Sequence, residues 1–326
     1  ADAKKRGVTV HFGSLMDLCF LKHAELEGSL QKYKGRVVFR GDQVKDETGA
    51  MAVFTEQAAS ASSMSAAKFL DAIARMPGNS GEHADGKKAY TQVSLDDMAR
   101  LLRLPKDKCP EIWITLPRER RPSWWDSIED PVVRLQINLY GHPLAGLLWE
   151  KHLEDKLLKL GWEKVPGWEC LFVHREKQAF LSVYVDDFKL SGRADKIPQL
   201  WRDLKKEIDL DDPSPIEEQV YLGLNQHQTQ PQTDLVNAKQ YMFSKLITAE
   251  VEPDLTAAEG NLVQSLQGDL KAMISHKLPG LNSDLSQVVA WNYEMVGHVV
   301  KCVEKYCQLA DLKIENLKSV ETPCMD

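Results

Sequence analysis

The sequence lacks the features that mark several common classes of protein. None of its six cysteines forms a Cys-x-x-Cys pair, so neither a zinc site nor a disulfide scaffold is indicated, and reduced thiols are expected. No stretch approaches the ~18 to 20 consecutive apolar residues of a membrane span. The basic N-terminal stretch is not followed by the apolar run of a secretory signal. Because the chain does not begin with Met, we expect a fragment or a processed product.

A surplus of basic residues is also missing. The net charge is −7 and the isoelectric point is near 5.8, which argues mildly against nucleic-acid binding. Positive charge is nevertheless concentrated between residues 100 and 121, whereas Asp and Glu dominate residues 203 to 218. A locally basic binding face and an ordinary solvated surface therefore both remain open.

The order of the predicted elements indicates an α+β protein. The length of 326 residues suits about two domains, or one large domain with lobes. Apolar spacing predicts helices at 60–76, 144–162, 197–210 and 288–312, with a weaker helical pattern over 255–290. Strands are predicted within 34–42, 88–93, 109–117, 132–143 and 170–192, and the opening segment is interpreted as short strands or a strand and a loop. We expect a mostly antiparallel sheet and a helical C-terminal lobe.

Two adjacent carboxylates, Asp186 and Asp187, follow an alternating apolar stretch, FLSVYV, and precede a second one, FKL. This pattern predicts a β-hairpin with both acids at its tip. Taken alone, the pair is better explained by an ordinary polar turn than by a metal site. A magnesium site would need a further acid from another strand, since Mg²⁺ prefers a few carboxylates combined with substrate phosphates. Asp85, which we expect to precede a strand, is a candidate for that acid.

Two other Asp-Asp pairs have structural explanations. Asp96 and Asp97 follow Ser94 at a predicted helix start, where acids are favoured by the helix dipole. Asp211 and Asp212 precede Pro213 in a predicted loop. We assign no chemistry to either pair.

The motifs and their order resemble the reverse transcriptase of copia-type LTR retrotransposons. The two main motifs are DGKKAY (85–90) and YVDD (184–187). The others, in the order of that family, are YKGRVVFRGDQ, EIWITLP, the LYG turn with the long helix that follows it, YLGLNQ and LKSVETP. The resemblance covers about residues 30 to 326. Each motif is weak by itself, but their common order is specific.

The resemblance implies a right-hand polymerase with fingers, a palm built on an antiparallel sheet and a helical thumb. The expected divisions are an N-terminal extension (1–30), fingers with the first part of the palm (31–135) and the palm with the YVDD hairpin (136–227). A linker or insert and a thumb-like region (228–326) would follow. It also implies an intracellular protein, cytoplasmic or nuclear, that acts on a primed RNA or DNA template and on deoxynucleoside triphosphates.

The resemblance assigns roles to individual residues. Asp85, Asp186 and Asp187 would hold two Mg²⁺ ions, or Mn²⁺ in their place, for nucleotidyl transfer to a primer 3′-hydroxyl. Tyr90 would lie against the sugar of the incoming nucleotide and exclude a 2′-hydroxyl, and Tyr184 would also contact the nucleotide. For Tyr90, an ordinary strand aromatic is an equally good interpretation.

Two arginines of the expected fingers strand, Arg36 and Arg40, are candidates for the triphosphate because the guanidinium fork suits phosphate. Each of them, taken singly, is better explained as an exposed strand arginine.

Some positions depart from the family pattern. His142, Pro143 and Leu144 stand where the family has Leu-Lys-Gln, and residues 228–290 exceed the usual link between palm and thumb. A second hypothesis is therefore a retroelement-derived protein that has lost polymerisation and serves a structural or interaction role. An unrelated metal-dependent phosphotransferase is a third hypothesis, which the motif order disfavours.

Overall fold

The computed structural model describes residues 2–22, 31–54, 61–216, 225–231, 236, 290–294 and 296–317. The chain divides into two compact units, Ala1–Glu218 and Gln219–Asp326. The first unit combines helices with runs of consecutive strands that pair mostly antiparallel, which confirms the predicted α+β class. Every helix in the described part of the chain is too short or too polar to cross a membrane.

A six-stranded sheet forms the centre of the first unit, and all of its strand pairs are antiparallel, as predicted. In spatial order its strands are β10 (Ser214–Pro215), β3 (Asn79–Asp85), β9 (Asp187–Arg193), β8 (Ala179–Tyr184), β7 (Leu171–His174) and β6 (Glu163–Lys164). Strands β8 and β9 form the predicted hairpin. Tyr184 pairs with Asp187 across it, which leaves Val185 and Asp186 as the turn.

Helices cover both faces of this sheet. Helices α4 (Ala145–Lys159) and α5 (Ile197–Glu207) share one hydrophobic core with Leu181 and Val183 of β8. Alternate residues of a strand point to opposite faces, and Phe180 accordingly packs on the other side, against α2 (Met64–Ala74).

The ends of two of these helices follow from local chemistry. Helix α2 begins where Ser63 accepts a hydrogen bond from the Ala66 N–H. Helix α4 ends before Gly161, whose φ of +84° suits a residue without a Cβ. Helices α2, α4 and α5 confirm the helices that were predicted at 60–76, 144–162 and 197–210.

The first unit also contains a four-stranded sheet. Its spatial order is β2 (Lys32–Phe39), β1 (Val10–Lys22), β4 (Glu111–Thr115) and β5 (Val133–Arg134), and the β1–β4 pair is parallel. The opening segment is thus one long strand rather than several short ones. The strand predicted within 132–143 contracts to the two residues of β5.

Two predictions around Asp85 were wrong in detail. Asp85 ends strand β3 instead of preceding a strand, and the predicted strand at 88–93 is a short 3-10 helix, Ala89–Gln92, that follows Lys88 at a φ of +49°. The β3 sequence, NSGEHAD, has no β-branched residue and so gives no propensity signal. Pairing with β9 and β10 determines its conformation instead.

In the second unit, the C-terminal helix is shorter than predicted. Strand β12 (Ala290–Glu294) pairs with β11 (Asn225–Thr229), and helix α6 (Val296–Ala310) begins after it. The first unit also contains two short helices, α1 (Asp2–Lys5) and α3 (Met98–Leu102). The helical pattern predicted over 255–290 lies almost entirely outside the described residues.

Candidate active site

Asp85 and Asp187 meet at the ends of two neighbouring strands. Asp85 is the last residue of β3, Asp187 is the first residue of β9, and the two are direct partners in the antiparallel register. Their side chains are hydrogen-bonded to each other. The Gly86 N–H donates to the Asp186 carbonyl at 2.6 Å, so the backbone after Asp85 is tied to the acid-bearing turn. The structure therefore brings the three predicted acids to one place.

The turn that carries Asp186 is hydrogen-bonded to helix α4. Val185 has a φ of +59°, which is unfavourable for a β-branched residue and is kept only where the surroundings enforce it. The indole N–H of Trp149, a fully buried residue of α4, donates to the Val185 carbonyl at 2.6 Å. Because α4 packs in the main core, this bond ties the turn to that core.

Asp187 has a pKa far above the ordinary value of a carboxyl group. The pKa of Asp187 is raised from 3.8 to about 7, first by burial, then by the charges of Asp186 and Asp85, and finally by the hydrogen bond with Asp85. Near neutral pH, Asp187 therefore holds a proton in a substantial fraction of molecules. Strongly shifted acids of this kind are a feature of functional sites.

The donor set suits a hard divalent cation. Carboxylate oxygens are the ligands that Mg²⁺ prefers, and a bound cation would relieve the repulsion that raises the Asp187 pKa. Within the described ranges, however, no three Asp, Glu, His or Cys side chains are arranged to hold a metal ion. The three carboxyl groups are thus chemically suited to Mg²⁺. In this structure, however, Asp85 and Asp187 are hydrogen-bonded to each other instead of being arranged around an ion site.

Two tyrosines form a wall beside the acids. The rings of Tyr90 and Tyr140 lie 4.7 Å apart, centroid to centroid, with their planes inclined by 58°. Burial raises the pKa of Tyr140, and so does the charge of Asp186, which places Tyr140 near the acid turn. Tyr140 was noted in the sequence only as part of the LYG turn. An aromatic residue next to a turn glycine within a motif was the signal that could have identified it.

Of the two candidate arginines, Arg36 is the one that meets this wall. Its guanidinium carbon lies 5.3 Å from the centroid of the Tyr140 ring and 5.5 Å from that of Phe20. Arg40 instead lies 3.7 Å from the Asp42 carboxylate, and its backbone N–H bonds to Ser14 of β1.

Tyr184 occupies the last position of β8, opposite Asp187, and forms an isolated bridge with Ala61. Its side chain is 37% exposed, so the ring is available to a ligand.

Two glycines let the four-stranded sheet approach the wall. Gly141 has a φ of +85°, and a Cβ there would lie 2.1 Å from the Phe39 carbonyl oxygen; a Cβ on Gly41 would lie 2.2 Å from the Gly141 oxygen. The Phe39 N–H also donates to the Tyr140 carbonyl at 2.7 Å. Strand β2, which carries Arg36, is thereby joined to the LYG turn.

His142, which replaces a family leucine, is buried rather than turned toward the site. It packs against Phe39 and Phe54, and burial, followed by the charge of His11, lowers its pKa to about 4. It is therefore neutral at ordinary pH and acts as a packing residue of the turn.

The fold and the site define an α+β protein whose antiparallel sheet presents converging acids beside an aromatic and cationic wall. The sequence profile of the reverse transcriptase (RNA-dependent DNA polymerase) family matches residues 19–264. The chain therefore belongs to the reverse transcriptase family, and its relatives confirm the copia type that the motifs indicated.

Similar curated proteins include polyproteins of retrotransposons from the yeast Saccharomyces cerevisiae. The truncated transposon Ty1-A Gag-Pol polyprotein is 26% identical over 173 residues, which are 52% of this chain and 13% of that protein. The transposon Ty1-DR1 Gag-Pol polyprotein is 28% identical over 141 residues, 42% of this chain and 7% of the relative. The chain thus matches a small part of these polyproteins.

Proposed function

We propose that the protein is an RNA-directed DNA polymerase that adds deoxynucleotides to a primer 3′-hydroxyl on a template. One observation carries the proposal: Asp85 and Asp187 are register partners at adjacent strand ends, with Asp186 in the turn between β8 and β9. Two-metal nucleotidyl transfer needs such a set of carboxylates from more than one strand. Membership of the reverse transcriptase family supports the same reaction.

The finer architecture that we propose is a right hand. The six-stranded sheet would be the palm, the four-stranded sheet would belong to the fingers, and residues 228–326 would supply the linker and thumb. Strand β1 begins within the segment predicted as an N-terminal extension, but it is hydrogen-bonded to β2 and β4, so we place it in the fingers.

Asp85, Asp186 and Asp187 would hold two Mg²⁺ ions. When bound, these ions supply Lewis-acid stabilisation of charge on the attacking and leaving oxygens. The chain itself must first ionise Asp187, because only the carboxylate can be a ligand, and its pKa of about 7 makes this step sensitive to pH. The Trp149 bond to the turn keeps Asp186 in place during that change.

The wall beside the acids would bind the nucleotide. Arg36 keeps its guanidinium over the rings of Tyr140 and Phe20, which leaves N–H donors for a triphosphate. Tyr90 packs on Tyr140 and partly on the core, so its ring position is constrained. A constrained ring is able to discriminate against a 2′-hydroxyl by bulk.

The direct test is primer extension by the purified chain on a primed RNA template. We expect extension that requires Mg²⁺ or Mn²⁺ and a full set of deoxynucleotides. The same reaction with EDTA is the control. A chain that is folded but extends no primer with either ion would contradict the proposal.

A retroelement-derived protein without polymerase activity is the second candidate. It is favoured by the net charge of −7 and by the lack, among the described residues, of three side chains arranged to hold a metal ion. Binding to a primer–template duplex at several salt concentrations separates the two. A polymerase should bind with an affinity that falls steeply as salt rises, since neutralised phosphates release counterions. A protein kept for another role should not bind.

A further inference from the structure

A row of buried polar residues lies directly beneath the acids. Two positions from Asp187 along β9, on the same face, is Lys189; two positions from Asp85 along β3 is His83. These two residues are register partners, and Ser182 of β8 is the partner of Lys189 on its other side. All three side chains of this row are buried.

Lys189 forms a buried ion pair with helix α2. Its ammonium contacts the carboxylate of Asp71, and the two side chains are only 1% and 2% exposed. Asp71 also lies 3.9 Å from Arg75, one turn later in the same helix. A charged pair at this depth is unusual, since such groups are almost never fully buried unless they are paired.

The segment before α2 is tied to the other strand of the hairpin. The Ser62 N–H donates to the Val183 carbonyl at 2.9 Å, and the Ser182 and Ser62 hydroxyls are 2.7 Å apart. Ala61 forms a bridge with Tyr184 at the same place. Residues 61–74 therefore hold β8 through Ser62 and β9 through Asp71, and the acid turn lies between these two attachments.

We propose that residues 61–74 position the acid turn relative to Asp85 through two attachments, the Asp71–Lys189 ion pair to β9 and the Ser62 bonds to β8. The consequence for metal binding depends on the proposed function, whereas the positioning of the turn does not. A buried ion pair has one good geometry, whereas two apolar side chains would let α2 shift along the sheet. Residues outside a metal site that orient its ligands typically change metal affinity about 10- to 100-fold when they are replaced.

Packing is the alternative explanation, and it makes a different prediction. Replacing both residues of a buried ion pair by apolar residues of similar volume often leaves the free energy of unfolding unchanged or raises it. Removing only one partner lowers it, because a buried charge is left uncompensated. The double variant D71L/K189M should therefore fold. If the pair serves packing alone, this variant should leave the acid turn unchanged.

The test reads the turn directly by NMR of the full chain without metal. The indole N–H of Trp149, which bonds to the Val185 carbonyl, and the amide of Gly86, which bonds to Asp186, are the two reporters. In D71L/K189M we expect both signals to move by more than their line width. Unchanged reporters in a folded variant would overturn the proposal.

A matched control pair joins α4 to α5. Lys156 and Glu207 form an ion pair of 2.7 Å between those helices. The variant K156M/E207L makes the same type of substitution there, and we expect both reporters to stay in place.

A milder variant keeps the test decisive if D71L/K189M does not fold. Ser62→Ala removes the hydroxyl bond to Ser182 but keeps the backbone bond, and Ser65→Ala on the exposed side of α2 is its control. We expect Ser62→Ala to move the reporters and Ser65→Ala to leave them. Reporters that stay in place in both would overturn the proposal.

Mn²⁺ binding, measured by electron paramagnetic resonance, tests the consequence. We expect the affinity of D71L/K189M to fall about 10-fold or more relative to the unchanged chain, with K156M/E207L unaffected. Equal affinities would overturn the role of the pair in metal binding. If the unchanged chain binds no Mn²⁺ and extends no primer, the proposed function fails, and the NMR reporters still decide the positioning.

Discussion

The two sheets of the first unit are built in opposite ways. Strands β8 and β9 of the six-stranded sheet are buried on both faces, and the acids lie where the two strands meet. In the four-stranded sheet, one face of β1 leaves Phe12, Met16 and Leu18 about 40% exposed, and most of β2 is exposed. The first sheet is surrounded by helices, whereas the second presents apolar and basic side chains to the solvent.

The difference suits two tasks of the proposed polymerase. Acids that share a metal site must be placed accurately, which requires strands fixed by packing and hydrogen bonds on both sides. A surface that meets a nucleotide or a nucleic acid needs accessible aromatic and cationic groups instead. The two sheets are joined at the LYG turn, where Tyr140 contacts both Tyr90 and Arg36.

The largest effect is expected from the acids. Asp186→Asn and Asp187→Asn should each lower primer extension by at least about 10³-fold, because loss of a metal ligand removes several kcal/mol of stabilisation at the reacting oxygens. Asp96→Asn, in an Asp-Asp pair on the surface, should retain activity. Circular dichroism checks that the variants are folded. Activity within a few-fold of the original in either site variant would contradict the assignment.

The junction between the sheets should be the next most sensitive point. Gly141→Ala should lower the free energy of unfolding by more than about 2 kcal/mol, because its φ is +85° and the new Cβ would clash with the Phe39 carbonyl. Gly49 has a similar φ of +88° but open space around it, so Gly49→Ala should cost only about 1 kcal/mol. Urea denaturation measures both. Equal losses would show that the close approach is unimportant.

Substitution of Tyr90 tests whether the wall discriminates between deoxyribose and ribose. Tyr90→Ala should reduce discrimination between deoxynucleotides and ribonucleotides about 10- to 100-fold, since a shape-based contact supplies a modest part of selectivity. Tyr306, an exposed tyrosine of α6, provides the control in Tyr306→Ala. Competition between the two substrates in single-nucleotide extension gives the ratio. An unaltered ratio in Tyr90→Ala would remove Tyr90 from the nucleotide site.

A further effect concerns pH. The folded-state pKa of Asp187 is raised from 3.8 to about 7, so the folded chain favours the protonated form. The stability that this group contributes is present below about pH 4 and is lost as the pH rises through about 7. In EDTA, Asp187→Asn should therefore be more stable than the original chain at about pH 8, and this advantage should shrink toward about pH 4. Thermal unfolding across that range measures the difference. A constant difference would contradict the raised pKa.

Much of the acid sheet was predictable from local patterns. The alternation in FLSVYVDDFKL predicted β8, β9 and the turn, because each strand has one side in the main core. Strand β3 was not predictable, since NSGEHAD carries no strand propensity and becomes a strand only through its neighbours. The same applies to the Lys189–Asp71 pair, whose partners are far apart in the sequence.

Sequence motifs were less informative about the wall that Tyr90 and Tyr140 form. Arg36 and Arg40 are equivalent in the sequence, yet only the position of the LYG turn selects Arg36 for contact with Tyr140. Tyr140 itself stood out only as a neighbour of a glycine.

By itself, the sequence determined the α+β class, the hairpin with its two acids and the family, because these depend on local periodicity and on the order of short motifs. Tertiary structure decided how Asp85, the acid that the sequence had proposed, meets the pair, which arginine reaches the wall and how far the pKa of Asp187 rises. The physical reason is that these properties depend on strand register, burial and charges that are distant along the chain. Local sequence therefore specifies the parts of this site, and packing specifies how they meet.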